Sequence, residues 1–166
     1  MKNYHLLIVL LFLSFSLSAQ KIFVLKTPNS EKLKQEFVKS NYQMNTILTH
    51  LEKNYTVTSG KLDIKLDPDF DNAECGFTKK FKSGIVYTIF SCGEAAPQKE
   101  KIFFPKTKTS ELKKWIEAIH RSEAEDNNNK WYKGKNEYAP KDEGPGCYYK
   151  IIQTKTQSII DIFCGC

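Results

Sequence analysis

The spacing of the cysteines constrains this chain more than any other feature. Cys75 and Cys92 stand 17 positions apart, and so do Cys147 and Cys164. Glycine follows the second cysteine in both cases, as Gly93 and Gly165. Each pair brackets two strand-like runs around a turn. Cys75 to Phe81 and Ile85 to Cys92 flank Lys82-Ser83-Gly84, and Tyr148 to Gln153 and Ser158 to Phe163 flank Thr154 to Gln157.

Opposed residues in an antiparallel hairpin have numbers of constant sum, so a cross-strand disulfide fixes the whole register. Cys147 opposite Cys164 sets Tyr149 against Ile162 and Ile151 against Ile160 on the cysteine side. On the other side it sets Lys150 against Asp161, Tyr148 against Phe163 and Ile152 against Ile159, one opposite-charge pair and two apolar ones. Cys75 opposite Cys92 sets Phe77 against Phe90 and Phe81 against Val86. The spacing therefore predicts disulfides Cys75–Cys92 and Cys147–Cys164. Other pairings, a 92-to-147 link among them, stay open from sequence. Cys166 is left unpaired, available to a second chain and hence to a dimer.

Disulfides need an oxidising compartment, and the N-terminus provides a route to one. Lys2, the apolar run Leu6 to Phe15 and the small residues Ser16, Ser18 and Ala19 form the three parts of a secretory signal peptide. Residues 1–19 are expected to be removed, leaving 20–166 as one α+β domain, secreted or periplasmic, with no stable membrane anchor. Removing 19 residues from 166 leaves 147, and losing Lys2 lowers the charge from +6 to +5. All five cysteines stay. A core of this modest size is where disulfide staples become useful.

Two helices complete the expected fold. Leu33, Phe37, Met44, Leu48, Leu51 and Tyr55 recur at a helical period, predicting one helix from about Pro28 to Asn54 with Asn41 in the missing apolar position. Leu112, Trp115, Ile116 and Ile119 mark one face of a second helix begun at Thr109 or Ser110. Ile22 to Leu25 and the alternating Leu62, Ile64 and Leu66 read as strands, and Ile102 to Phe104 as another. Glu125 to Gly146, rich in Asn, Lys, Gly and Pro, reads as a long loop. The expected architecture is two helices on an antiparallel sheet built around two disulfide-stapled hairpins, with a weak internal helix-plus-hairpin repeat.

Chemistry is thinly represented. No G-x-S-x-G elbow, H-E-x-x-H helix or phosphate-cradling glycine loop is present. Cys164-Gly-Cys166 with Cys147 lacks the paired C-x-x-C spacing of a zinc site. Asp67, Asp69 and Asp71 alternate as calcium ligands do, but Asn72 and Thr78 replace the glycine and glutamate of a calcium loop, so an acidic turn around Pro68 is the simpler reading. No cofactor is expected. After signal removal only His50 and His120 remain for imidazole catalysis, and a ribonuclease-type hydrolase would use them as base and acid. Lys130, Trp131, Tyr132, Lys133 and Tyr138 place aromatic rings beside lysines, a pattern suited to a protein interface or to stacking on sugars. The positive charge is spread along the chain, which excludes a concentrated nucleic-acid stripe.

The expectation is an exported interaction protein whose partner is another, acidic protein, for example as an inhibitor or an immunity protein. The alternatives are the two-histidine hydrolase and a cell-envelope carbohydrate-binding module.

Overall fold

The computed structural model describes residues 23–93, 97–123, 128–142 and 144–165. The expected signal segment, residues 1–19, and Cys166 lie outside the described residues. Among the described residues, three helices pack on one face of an eight-stranded antiparallel sheet. In chain order the elements are α1 (Ser30–Lys39), α2 (Thr46–Asn54), β1 (Leu62–Asp67), β2 (Ala73–Lys80), β3 (Val86–Phe90), β4 (Gln98–Pro105), α3 (Thr109–Glu123), β5 (Asn129–Tyr132), β6 (Glu137–Pro140), β7 (Gly146–Gln153) and β8 (Gln157–Gly165). Strand order across the sheet is β1-β2-β3-β4-β8-β7-β6-β5. Two four-stranded meanders thus meet along β4 and β8, where Gln98 to Pro105 run opposite Cys164 to Gln157.

The long first helix predicted from periodicity is two helices. Asn41 and Tyr42 adopt left-handed backbone (φ 59° and 63°), and the Tyr42 amide donates back to the Phe37 carbonyl at 3.1 Å. Asn tolerates that conformation better than most residues, so Asn41 ends a helix rather than filling a gap in its apolar stripe. Asn45 then caps α2, its side chain accepting from the Leu48 amide at 2.7 Å. Asn29 caps α1 in the same way through the Lys32 amide.

Phe23 to Asn29 form no strand; Ile22 lies outside the described residues. The Phe23 ring instead stacks on Tyr55 at 6.0 Å and tilts against Phe104 at 6.2 Å. The expected loop before Gly146 contains β5 and β6, paired around a turn in which Gly134 and Asn136 have φ of 80° and 51°. Its composition misleads because these are short outer strands, whose outward positions are free to be Lys, Asn and Glu. β1 forms, but as the opposite edge, bulged at Asp63 (φ 52°), with Ile64 and Leu66 exposed rather than half-buried.

Both disulfides are formed, Cys75–Cys92 and Cys147–Cys164. β7 and β8 pair with Cys147 opposite Cys164, Tyr149 opposite Ile162 and Lys150 opposite Asp161. The first hairpin is shifted by one residue from the cysteine-based register. Phe77 faces Ile89, Thr78 faces Thr88 and Lys80 faces Val86. The ladder ends before Cys92: the Ser91 amide donates to the Cys75 carbonyl at 2.7 Å, and Cys92 reaches back from beyond β3. The helix-plus-hairpin repeat is corrected too. The first staple joins the second and third strands of its meander and the second staple the third and fourth, so equal spacing does not mark equivalent positions.

The core lies between helices and sheet. Trp115 of α3, fully buried, meets Phe104 edge-on at 5.7 Å and His50 at 6.1 Å. Leu51, Leu112, Ile116 and Ile119 cover Tyr87, Ile102, Ile160 and Tyr149 from the helical side. Replacing both Cys147 and Cys164 by serine removes a staple closing a loop of this length. The double variant should lose about 3 kcal/mol of unfolding free energy in urea denaturation. A loss under about 1 kcal/mol would show that the staple constrains the unfolded chain little.

Candidate functional site

Alternation along the central strands sends one set of side chains to the helices and leaves the other set bare. The outward set falls into three rows. Val86, Phe103, Ile159 and Ile152 are cross-strand neighbours on β3, β4, β8 and β7 and form an apolar row. One step along, Thr88, Lys101, Asp161, Lys150 and Glu137 form a polar row. Another step along, Phe90, Lys99, Phe163 and Tyr148 form an aromatic row interrupted by one lysine.

The geometry of these rows is set by neighbours. Lys101 pairs with Asp161 at 3.4 Å, and Lys150 pairs with Glu137 at 2.9 Å. The Glu137 carboxylate, with Asp161 beyond it, holds the Lys150 ammonium above its ordinary pKa. Tyr148 and Phe163 meet edge-on at 6.2 Å. Phe90 lies over Gly76, where an added Cβ would stand 2.9 Å from the Ile89 carbonyl and 3.3 Å from the Phe90 ring. Phe90, Phe163 and Ile152 are 42%, 37% and 36% exposed, high values for large apolar side chains. A groove of about 450 Å³ runs between the polar and aromatic rows, bordered by Lys99, Tyr148, Lys150, Asp161 and Phe163.

The residues singled out in the sequence occupy other places. His50 is buried in α2. Its Nε2 donates to the Lys26 carbonyl at 2.8 Å and its Nδ1 accepts from Asn54 at 3.2 Å, while burial lowers its pKa. His120 is buried in α3 with Tyr138 and Tyr149 at 5.3 and 6.0 Å. The two imidazoles border separate cavities, whereas an acid–base pair would have to share one. Asp67 is buried, and its carboxylate accepts from the Asp69 and Gly93 amides. Among the described residues no group of three His, Cys, Asp or Glu is placed to hold a metal, Asp67, Asp69 and Asp71 included.

Trp131 and Tyr132 are half-buried on β5. The Trp131 indole donates to Glu117 at 2.6 Å, contacts Tyr138 at 5.1 Å and lies under the Lys113 ammonium at 4.6 Å. Tyr132 donates to the Pro140 carbonyl at 2.8 Å, with the Lys130 ammonium 4.9 Å from its ring. Tyr138 is buried, and Lys133 is exposed in the β5–β6 turn. Trp131 therefore pins the sheet edge to α3. Its change to alanine should cost about 2 kcal/mol in thermal or chemical unfolding, from lost packing and a lost hydrogen bond, with a smaller loss for phenylalanine. An unchanged melting temperature would return Trp131 to the surface candidates.

The sequence shows only the β7–β8 part of each row, because Ile102 to Phe104 alone of β4 stands out as a strand. The alternation Lys99, Lys101, Phe103 against Glu100, Ile102, Phe104 carried the signal. Comparison with protein-family models, with curated proteins and with solved structures finds no match to this chain.

Proposed function

We propose that this chain is an exported, disulfide-stapled binding protein that holds an acidic protein surface against the helix-free face of its sheet. The observation that carries the reading is the three-row face itself. It presents exposed apolar and aromatic side chains on rigid strands, the arrangement in which a few anchors supply most binding energy. Charge complementarity gives the partner's sign. Lys65, Lys80, Lys99, Lys101 and Lys150 lie on or beside this face, against Asp161 and Glu137 within it. Lys99 forms no ion pair among the described residues and stands between Phe90 and Phe163, ready for an external carboxylate.

The compartment follows from the same features. A signal segment at residues 1–19 and two disulfides support a location outside the reducing cytoplasm, secreted or periplasmic. No helix among the described residues is long and apolar enough to cross a membrane. An inhibitor or immunity role is the form of binding that best suits a small, stapled, exported chain of this kind.

The test places a photoreactive phenylalanine analogue at Phe163 and, as control, at exposed Lys114 on the helical side. Irradiation with the exported proteins of the source organism should give a discrete adduct from position 163 only. That adduct should weaken with salt and with Lys99→Glu. Adducts from position 114 alone, or adducts indifferent to salt and to Lys99→Glu, would overturn the reading.

A further inference from the structure

A polar cluster in the interior takes no part in the sheet face. It sits where the start of α2, the end of α3, β3 and β4 converge. Asn45, besides capping α2, donates its Nδ2 to the Tyr87 hydroxyl at 2.9 Å and to Glu100 Oε1 at 3.3 Å. Gln98 donates to the same Oε1 at 2.5 Å, and Tyr87 is a further hydrogen-bond partner of that carboxyl. Glu100 is 4% exposed, and its Oε2 has no hydrogen-bond partner among the described residues. The Thr46 hydroxyl, fully buried, donates to Glu123 on the last turn of α3.

Glu100 is therefore buried and Glu123 half-buried beside a cavity, and the two carboxyls lie within electrostatic reach of one another. Neither belongs to an ion pair formed among the described residues, and no Lys or Arg figures in the electrostatics of either. Among the described residues, the titratable groups facing the pair are Tyr87 from β3 and Tyr149 from β7, both held neutral by burial, and His120, which borders a cavity of about 370 Å³ with Glu123. Ionising both carboxyls leaves two like charges in a medium that solvates them poorly and one oxygen without a donor.

We propose that Glu100 and Glu123 form a proton-dependent latch that ties the start of α2 to the end of α3 and to the sheet, and that loosens when both carboxyls ionise. Burial raises both groups, and Glu123 is pushed up to about 7. A folded-state value above the unfolded one means that the folded chain holds its proton longer. The latch's contribution is therefore full below the ordinary carboxylate range and is lost as pH rises from there to about 7. His50 works in the opposite sense, because its buried neutral form is lost on acidification. It is common to wild type and variants, so its contribution cancels from their difference.

The experiment compares thermal unfolding of wild type, Glu100→Gln and Glu123→Gln from pH 4.5 to pH 8. Glutamine keeps the shape and cannot ionise. The variants should match wild type near pH 4.5 and melt several degrees higher at pH 8. Infrared spectroscopy supplies a second readout: folded wild type at pH 6 should show the C=O band of a protonated carboxyl, weakened in whichever variant folds. A variant-minus-wild-type difference that is constant with pH, or no protonated-carboxyl band at pH 6, would overturn the latch.

Discussion

The pairing of β4 with β8 is the interaction on which the rest of the structure depends. It joins residues about 60 positions apart, Gln98 to Cys164 and Pro105 to Gln157, and turns two local meanders into one sheet. Neither meander closes a core alone. Ile102 and Phe104 from one side and Ile160 and Ile162 from the other share the surface under Trp115, Ile116 and Ile119. The loop-closure entropy of that distant pairing is repaid by burial on the helical side. On the other side, all three outward rows cross the seam, through Phe103 beside Ile159, Lys101 beside Asp161 and Lys99 beside Phe163. The candidate binding face exists because the seam does.

The disulfides serve this arrangement from its flanks. Cys147–Cys164 ties the seam strand β8 to β7, and Cys75–Cys92 ties β2 to the chain leaving β3. The polar interior is divided in a similar way. His50 and Asp67 are satisfied largely by backbone, His50 by the Lys26 carbonyl with the Asn54 side chain on its other nitrogen, and Asp67 by the amides of Asp69 and Gly93. Glu100 and Glu123 instead accept from the residues that begin α2, Asn45 and Thr46, and so link that helix start to β4 and to α3.

Local features were legible in the sequence where one residue type has one dominant physical use. The face Leu112, Trp115, Ile116 and Ile119 of α3 is buried as its periodicity requires. The β7–β8 register follows from the cysteines because the staple lies inside the ladder. The β2–β3 register does not, because Cys92 lies past its end, a distinction that spacing cannot carry. Asn41 fitted a helical period yet terminates the helix, since its left-handed backbone depends on where the chain must turn. Lys150 and Asp161 do stand opposite one another, but Lys150 pairs with Glu137 and Asp161 with Lys101. Those partners come from β6 and β4, and a hairpin read alone cannot see its outer neighbours. The sheet face was illegible for the same reason, being a property of strand order rather than of any motif.

Native-state hydrogen exchange measures the central claim, that the β4–β8 seam holds both halves as one cooperative unit. Amides of Ile102, Phe104, Ile160 and Ile162 should be among the slowest, opening only with global unfolding, with equal free energies in both meanders. If the residues 62–105 exchange through an opening distinct from that of residues 129–165, or if the seam amides exchange before the helical core, the seam is not the organising interaction.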